Sequence, residues 1–277
     1  MDDEKLTAVI TAIKQSKKYR DTSAETIREL SITALQQHKK PKAAIKAVRT
    51  RLHGIMAPYL GDPVYDEAGE RLTAVFAAND QAQINAVCAD ILHTHLSTRE
   101  RQPLLPTFYD EIFAITGKPK TLLDLACGLN PLAFPWMGLD NDTAFYAYDI
   151  HEPRIGLLNH YFRLRGLPPL AKLQDIAHHF PQEAGDVALF LKEMPRFSRN
   201  YGNLGRPLLE ALRVRWLVIS FPAVSAHGGR KLDGRYREFM HQLIDGHGWP
   251  ITELRFGDEM VFCIDKETGN EQQSTKN

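Results

Sequence analysis

The chain is expected to fold as a doubly wound α/β protein, with a mostly parallel seven-stranded sheet preceded by an N-terminal helical domain. Three observations predict this. The stretch Thr121-Leu-Leu-Asp-Leu-Ala-Cys-Gly-Leu-Asn-Pro131 reads as a buried strand that stops at a tight glycine turn. A second apolar run, Ala144 to Ile150, follows and carries Asp149 at its end. From Thr107 onward, runs of strand length alternate with segments of helical periodicity, which implies a parallel sheet covered by helices on both faces.

The elements follow in order. Leu6, Val9, Ile10 and Ile13 have helical spacing. Thr22 or Ser23 is a suitable N-cap for a second helix whose buried face is Ile27, Leu30, Ile32 and Leu35. Pro41 opens a third, with Ala44, Ile45, Val48, Leu52 and Ile55 at helical intervals, ending near Pro58-Tyr-Leu-Gly-Asp-Pro63. Two more helices, around Leu72–Phe76 and Ile84–Leu96, and a short one at Phe108–Thr116 lead into the sheet. Strands are expected at 121–127, 144–150, 170–174, 187–191, 216–221, 252–256 and 260–264, with helices at 153–165, 204–212 and 235–245. The organisation is therefore a basic three-helix domain over 1–60, a helical bridge over 61–105, an α/β domain over 106–265 and a polar tail over 266–277.

Charge is balanced over the 277 residues, with 34 basic and 34 acidic side chains, but unevenly placed. Between Lys14 and Arg51 there are eleven Lys or Arg against three acids. A basic module on an otherwise acidic chain fits a polyanion partner for that module alone, or a solvated helical surface. Cys88, Cys127 and Cys263 are far apart and in apolar contexts, so neither a disulfide framework nor a thiolate metal site is expected. There is no signal-peptide pattern and no apolar run long enough to span a bilayer, so a cytoplasmic protein without a membrane partner is expected. His93-x-His95 and His178-His179 lack a third ligand at suitable spacing; they read as helix-surface histidines, and no metal is expected.

A strand, a glycine turn and an acid at the next strand tip form the nucleoside half-site of such folds. The pyrophosphate fingerprint is missing, since Gly128 stands alone before Asn130-Pro131. That favours a ligand with adenosine but no pyrophosphate, such as S-adenosylmethionine. Ligands bind beyond the carboxyl ends of the strands, which selects Asp124, Asp149, Asp175, Lys192 and Ser220-Phe-Pro222. Gly228-Gly-Arg-Lys231 forms one basic loop beside this edge, and Arg196, Arg199 and Arg206 surround a second. Two such loops beside one pocket favour RNA over a small apolar substrate; DNA is not expected.

These residues resemble the aminoglycoside-resistance 16S rRNA (guanine(1405)-N(7))-methyltransferases over nearly the full length. The resemblance is densest in His95-Leu-Ser-Thr-Arg-Glu-Arg101, Phe108-Tyr-Asp-Glu-Ile-Phe113, Asp124-Leu-Ala-Cys-Gly-Leu-Asn-Pro-Leu-Ala-Phe-Pro135, Val218-Ile-Ser-Phe-Pro222, Gly228-Gly-Arg230 and Gly257-Asp-Glu-Met260. It implies a Rossmann-like S-adenosylmethionine domain and an N-terminal domain that docks on the 30S ribosomal subunit and its 16S rRNA. It further implies that Arg101 pairs with the cofactor carboxylate, that Asp149 serves the ribose and Asp175 the adenine, that Lys192 lies near the target base and that Arg230 lies near the RNA. Tyr109, Asp124, Ala126, Gly128, Asn130, Ile150 and Ile176 complete the expected cofactor site. Lys14, Lys17, Lys18, Arg20, Lys39, Lys40, Lys42, Lys46, Arg49, Arg196, Phe197, Arg199 and Lys231 are the expected RNA contacts, with Phe197 or Tyr201 stacking on a flipped guanine. Relatives tend to carry an acid about six residues after the strand-tip lysine, inside a Leu-rich helix; here Met194-Pro-Arg-Phe-Ser198 stands there. Two other readings stay open: a methyltransferase of another RNA site or of a small molecule, and a non-catalytic ribosome-binding factor.

Overall fold

In a computed structural model the described residues are 2–56, 62–223 and 232–267. Arg230 and Lys231, the Gly228-Gly-Arg230 motif, the 57–61 part of the first domain boundary and the tail from 268 lie outside them.

Three helices open the chain: α1 (Asp3–Lys14), α2 (Ala24–Gln37) and α3 (Pro41–Met56). Val9, Ile13, Ile27, Leu30, Ala34, Ala44, Val48 and Leu52 form their common core. Ser23 is the N-cap of α2, its hydroxyl accepting from the Thr26 N–H. Ile32 and Leu35 are only half-buried, because the inner face of α2 runs through Ile27, Leu30 and Ala34 at steps of three and four.

Helices α4 (Tyr65–Ala77), α5 (Gln81–Thr94), α6 (Leu96–Arg101) and α7 (Leu105–Thr116) follow. Leu72, Ile84, Cys88 and Ile91 share one apolar cluster with Phe108, Ile112, Leu122 and Phe145. The segment expected as a bridge thus packs directly into the core of the α/β unit.

That unit comprises β1 (Thr121–Leu125), β2 (Ala144–Asp149), α8 (Glu152–Leu164), β3 (Ala171–Leu173), β4 (Ala184–Leu191), α9 (Met194–Tyr201), α10 (Gly205–Ala211), β5 (Arg213–Pro222), α11 (Asp233–Leu243), β6 (Ile251–Phe256) and β7 (Glu259–Asp265). The seven strands lie in the order β3-β2-β1-β4-β5-β7-β6. Neighbours from β3 through β5 are parallel, while β7 runs antiparallel between β5 and β6. Strand order reverses at β1, with β2 on one side and β4 on the other, so the carboxyl ends of these strands border the switch-point crevice. Alternate β1 residues serve opposite layers: Leu122 belongs to one apolar cluster, Leu123 and Leu125 to the other.

Two sequence expectations are corrected. β1 stops at Leu125 rather than 127, because Ala126 takes a left-handed backbone (φ 49°) that ends the ladder. Met194-Pro-Arg-Phe-Ser198, expected as part of a loop, is helical; Pro195 is tolerated in the first turn, and Met194 and Phe197 form the buried face. Among the described residues no helix is long and apolar enough to cross a membrane.

Candidate active site

The crevice has two halves. The first lies over the ends of β2, β3 and β4, lined by Asp149, Ile150, Asp175, Ile176, Phe190 and Phe197. The second is smaller, lined by His95, Arg101, Asp124, Gly128, Asn130 and Leu191. Ala126 and Glu193 border both.

Three backbone positions shape this edge. Ala126, Gly128 and Lys192 all have positive φ (49°, 55° and 63°) at the ends of β1 and β4, a conformation costly for residues with a side chain. At Gly128 a Cβ would sit 3.3 Å from the His95 ring, so a side chain there would be strained in conformation and would press on that ring. The Lys192 N–H is anchored to the carbonyl and hydroxyl of Ser220, at 3.1 and 3.0 Å.

Asp149 holds the glycine turn. Its carboxylate accepts from the backbone N–H of Gly128 (3.1 Å) and of His151 (2.9 Å), and from Arg154 (2.8 Å). Arg154 also forms a two-pronged pair with Asp62, at 2.9 and 3.0 Å. Burial alone would raise the Asp149 carboxyl, but Arg154 and the His151 N–H bring it below its ordinary value. One strand further out, Asp175 accepts from the Ala177 N–H (3.0 Å) and the Tyr201 hydroxyl (3.5 Å), and the His178 ring lies 3.0 Å away. The Asp175 carboxylate beside it raises the His178 pKa.

The smaller half is floored by buried charge. Arg101 donates to both oxygens of Glu259, at 2.8 and 3.3 Å, and to Asn130 Oδ1 at 3.1 Å. The Tyr109 hydroxyl donates to the same Asn130 oxygen (2.7 Å), while the Asn130 amide donates to Asp124 (2.9 Å). Glu259 accepts from Ser220 (2.6 Å) and pairs with Lys192 at 3.2 Å; Lys192 also reaches the exposed Glu100 at 2.9 Å. Burial would raise Glu259, yet Arg101, Lys192 and Ser220 together lower it. Asp124 is bonded to the neutral Asn130 amide rather than to a cation, and burial pushes it up to about 7. Burial likewise pushes the His95 imidazole down to about 4.

All ten expected cofactor residues thus converge on the switch point: Arg101, Tyr109, Asp124, Ala126, Gly128, Asn130, Asp149, Ile150, Asp175 and Ile176. The expected RNA residues divide. Lys17, Lys18, Arg20, Lys39, Lys40, Lys42, Lys46, Arg49 and Arg199 are exposed. Lys42, Lys46 and Arg49 line one shallow concavity on α3 with Ile45, Thr50 and His53. Lys14 is half-buried, its ammonium donating to the carbonyls of Arg20 and Thr22 (3.0 and 2.9 Å), so it closes the turn after α1. Phe197 is buried against Phe190 and Tyr201 inside the larger half, and Tyr201 is tied to Asp175 with Arg51 over its ring. Phe197 is thus buried rather than at the surface as expected for stacking on a base, while Tyr201 is half-buried. Arg196 is half-buried and bound to Glu193.

Sequence reasoning missed Glu259, Glu100, Glu193, Arg154 and His95. His95, expected on a helix surface, is 1% exposed because the chain turns there from α5 into α6 beneath Gly128. The Gly257–Met260 motif contained Glu259 without revealing its partner.

Residues 15–263 match the family model described as ribosomal RNA methyltransferase (FmrO). The chain belongs to this family. The FmrO relatives include a 16S rRNA (guanine(1405)-N(7))-methyltransferase of Serratia marcescens, 32% identical over 93% of this chain and 97% of that one, and another of Micromonospora echinospora, 30% identical over 95% and 98%. Among solved structures, the 16S rRNA methyltransferase RmtF in complex with S-adenosyl-L-homocysteine superposes with a TM-score of 0.82 at 29% identity, covering 96% of this chain and 99% of that one. The 16S rRNA methylase RmtB gives a TM-score of 0.77 at 30% identity, covering 94% and 98%.

Proposed function

We propose that this FmrO-family chain is an S-adenosylmethionine-dependent 16S rRNA guanine-N7 methyltransferase that acts on the decoding-site helix of the 30S subunit and confers aminoglycoside resistance. The observation that carries the reading is the two-part crevice at the strand switch, with paired acids on one half and a fixed arginine on the other. Its donor set fits the cofactor. Gly128 lets backbone approach the ligand where a Cβ would meet His95. Asp149 and Asp175 supply acceptors for ribose hydroxyls and an exocyclic amine. Arg101 keeps guanidinium N–H groups beyond those given to Glu259 and Asn130, and these meet the amino-acid carboxylate.

The cofactor supplies an electrophilic methyl on a sulfonium sulfur. Guanine N7 offers an in-plane lone pair and carries no proton, so the protein needs no general base. Its work is positioning and the exclusion of water, which can contribute roughly 7–11 kcal/mol. The A-form major groove is deep and narrow, so the guanine is flipped out at a cost of a few kcal/mol. Lys192, fixed at the end of β4 by its left-handed backbone, positions the base. Lys17, Lys39, Lys40, Lys42, Lys46 and Arg49 dock the first three helices on the 16S rRNA. The methylated guanine gains a fixed positive charge and loses its N7 acceptor; both effects weaken a polycationic aminoglycoside that uses that edge.

Expression in a sensitive bacterium should raise resistance to 4,6-linked aminoglycosides and create one borohydride–aniline cleavage site in 16S rRNA. Unmodified rRNA with unchanged susceptibility would count decisively against the reading.

A further inference from the structure

At the junction of the two halves stands a carboxylate that neither the nucleoside nor the amino-acid end of the cofactor requires. In S-adenosylmethionine the sulfur is bonded to both the adenosine and the amino-acid chain, so the sulfonium falls where the two halves of the crevice join. Ala126 and Glu193 border both halves, and Glu193 alone of the two is ionisable. It is 8% exposed and sits directly after the left-handed Lys192, at the N-cap of α9. Arg196, one turn along α9 and half-buried, holds its Oε1 at 2.5 Å and so fixes the direction of the carboxylate.

Two of the other charges of the site are matched at its ends. Asp149 is bound by Arg154, and Arg101 by Glu259. The charge in the middle of the ligand has Glu193 as the carboxylate at its own position. We infer that Glu193 carries the sulfonium charge and thereby makes this site distinguish the cationic methyl donor from its neutral thioether product. During transfer the sulfur–methyl bond breaks, its electron pair stays on sulfur, and the carbon bonds to N7; the positive charge passes to the guanine and no proton moves. After the step Glu193 faces a thioether, and the attraction that held the donor is gone. The same residue thus favours loading of the donor and exchange of the spent product. Because the charge travels only across one methyl group, Glu193 stays near it throughout, and its effect falls on donor binding more than on turnover.

This inference rests on the cofactor proposed above, and calorimetry separates the two. Three ligands are titrated into the full chain and into Glu193→Gln and Glu193→Ala: S-adenosylmethionine, S-adenosylhomocysteine and sinefungin, whose protonated amine replaces the transferred methyl, one bond from the sulfonium position. Both substitutions should weaken S-adenosylmethionine and sinefungin about tenfold and change S-adenosylhomocysteine less than about twofold. Equal weakening of all three would assign Glu193 a packing role and overturn the inference, as would no change in any. If the parent protein binds none of the three, the cofactor reading falls with it; if the parent binds them all, only the role of Glu193 is in question.

Discussion

Around the crevice, charged side chains are buried and matched; on the first three helices they stand in solvent. Arg101 and Glu259 are each 2% exposed and bonded to each other, with Lys192, Ser220 and Asn130 completing the set. Lys17, Lys39, Lys40, Lys42, Lys46 and Arg49 are exposed on the turn after α1, the turn between α2 and α3, and α3 itself. The first arrangement fixes geometry and is little screened by salt; the second supplies a field that salt screens. On the proposed function, one part of the molecule would use charge to hold a small ligand in place, and the other to find a large one.

Removing one member of the buried set should break the comparison hardest. Glu259→Ala leaves Arg101 and Lys192 without their shared carboxylate, and such losses cost roughly 3–5 kcal/mol. Urea unfolding of this variant beside Lys46→Ala gives the contrast, because an exposed lysine should stay within about 0.5 kcal/mol of the parent. Equal stabilities for the two would mean that the Arg101–Glu259 pair is not what holds α6 against β7.

The next effect is pH dependence, where two buried groups act in opposite senses. His95 is depressed from 6.5 to about 4, so the unfolded chain takes up the proton first, and stability present above 6.5 is lost as pH falls toward 4. Asp124 is raised from 3.8 to about 7, so the folded chain holds the extra proton, and stability present at acid pH is lost as pH rises toward 7. Each contributes on the order of 3–4 kcal/mol across its window, and the windows overlap. Relative to the parent, Asp124→Asn should therefore steepen the loss of stability on acidification, and His95→Asn should lessen it. Denaturant titrations at several pH values read the two slopes; a shift of the same sign in both variants would refute the assignment.

What was legible in the sequence follows the same division. The strand-end residues could be read because each lies at the end of an apolar run, and the doubly wound order makes such ends converge. The exposed basic stretch could be read because it is local. The buried pairings could not: Arg101 and Glu259 are 158 residues apart, and Arg154 finds Asp62 across 92 residues. Burial of His95 depends on the direction taken between α5 and α6, which periodicity does not encode. Helix α9 was hidden by Pro195 and by a buried face of only Met194, Phe197 and Asn200. Phe197 was expected on the RNA side because nothing local reveals that this face turns toward the larger half of the crevice.

The smallest effect on stability should be the largest on docking. Charge reversal at Lys39, Lys40 and Lys42 together should leave the unfolding midpoint nearly unchanged, since all three are exposed. Each lysine that no longer neutralises an RNA phosphate should reduce the slope of log K against log salt by roughly 0.7–0.9. The triple variant should therefore bind 30S subunits more weakly and with a slope shallower by about 2 to 3, while its affinity for S-adenosylmethionine matches the parent. A fall in 30S affinity at unchanged slope would mean that these lysines act through the shape of the first helices. A fall in cofactor affinity would mean that the bundle and the crevice are coupled. Such coupling has a physical route, because the Ser23 N–H donates to the Ile150 carbonyl at 2.7 Å and Ile55 of α3 lines the larger half of the crevice. The salt slope and the cofactor titration together decide whether docking and methyl-donor binding are separate functions of one chain or two readings of a single interface.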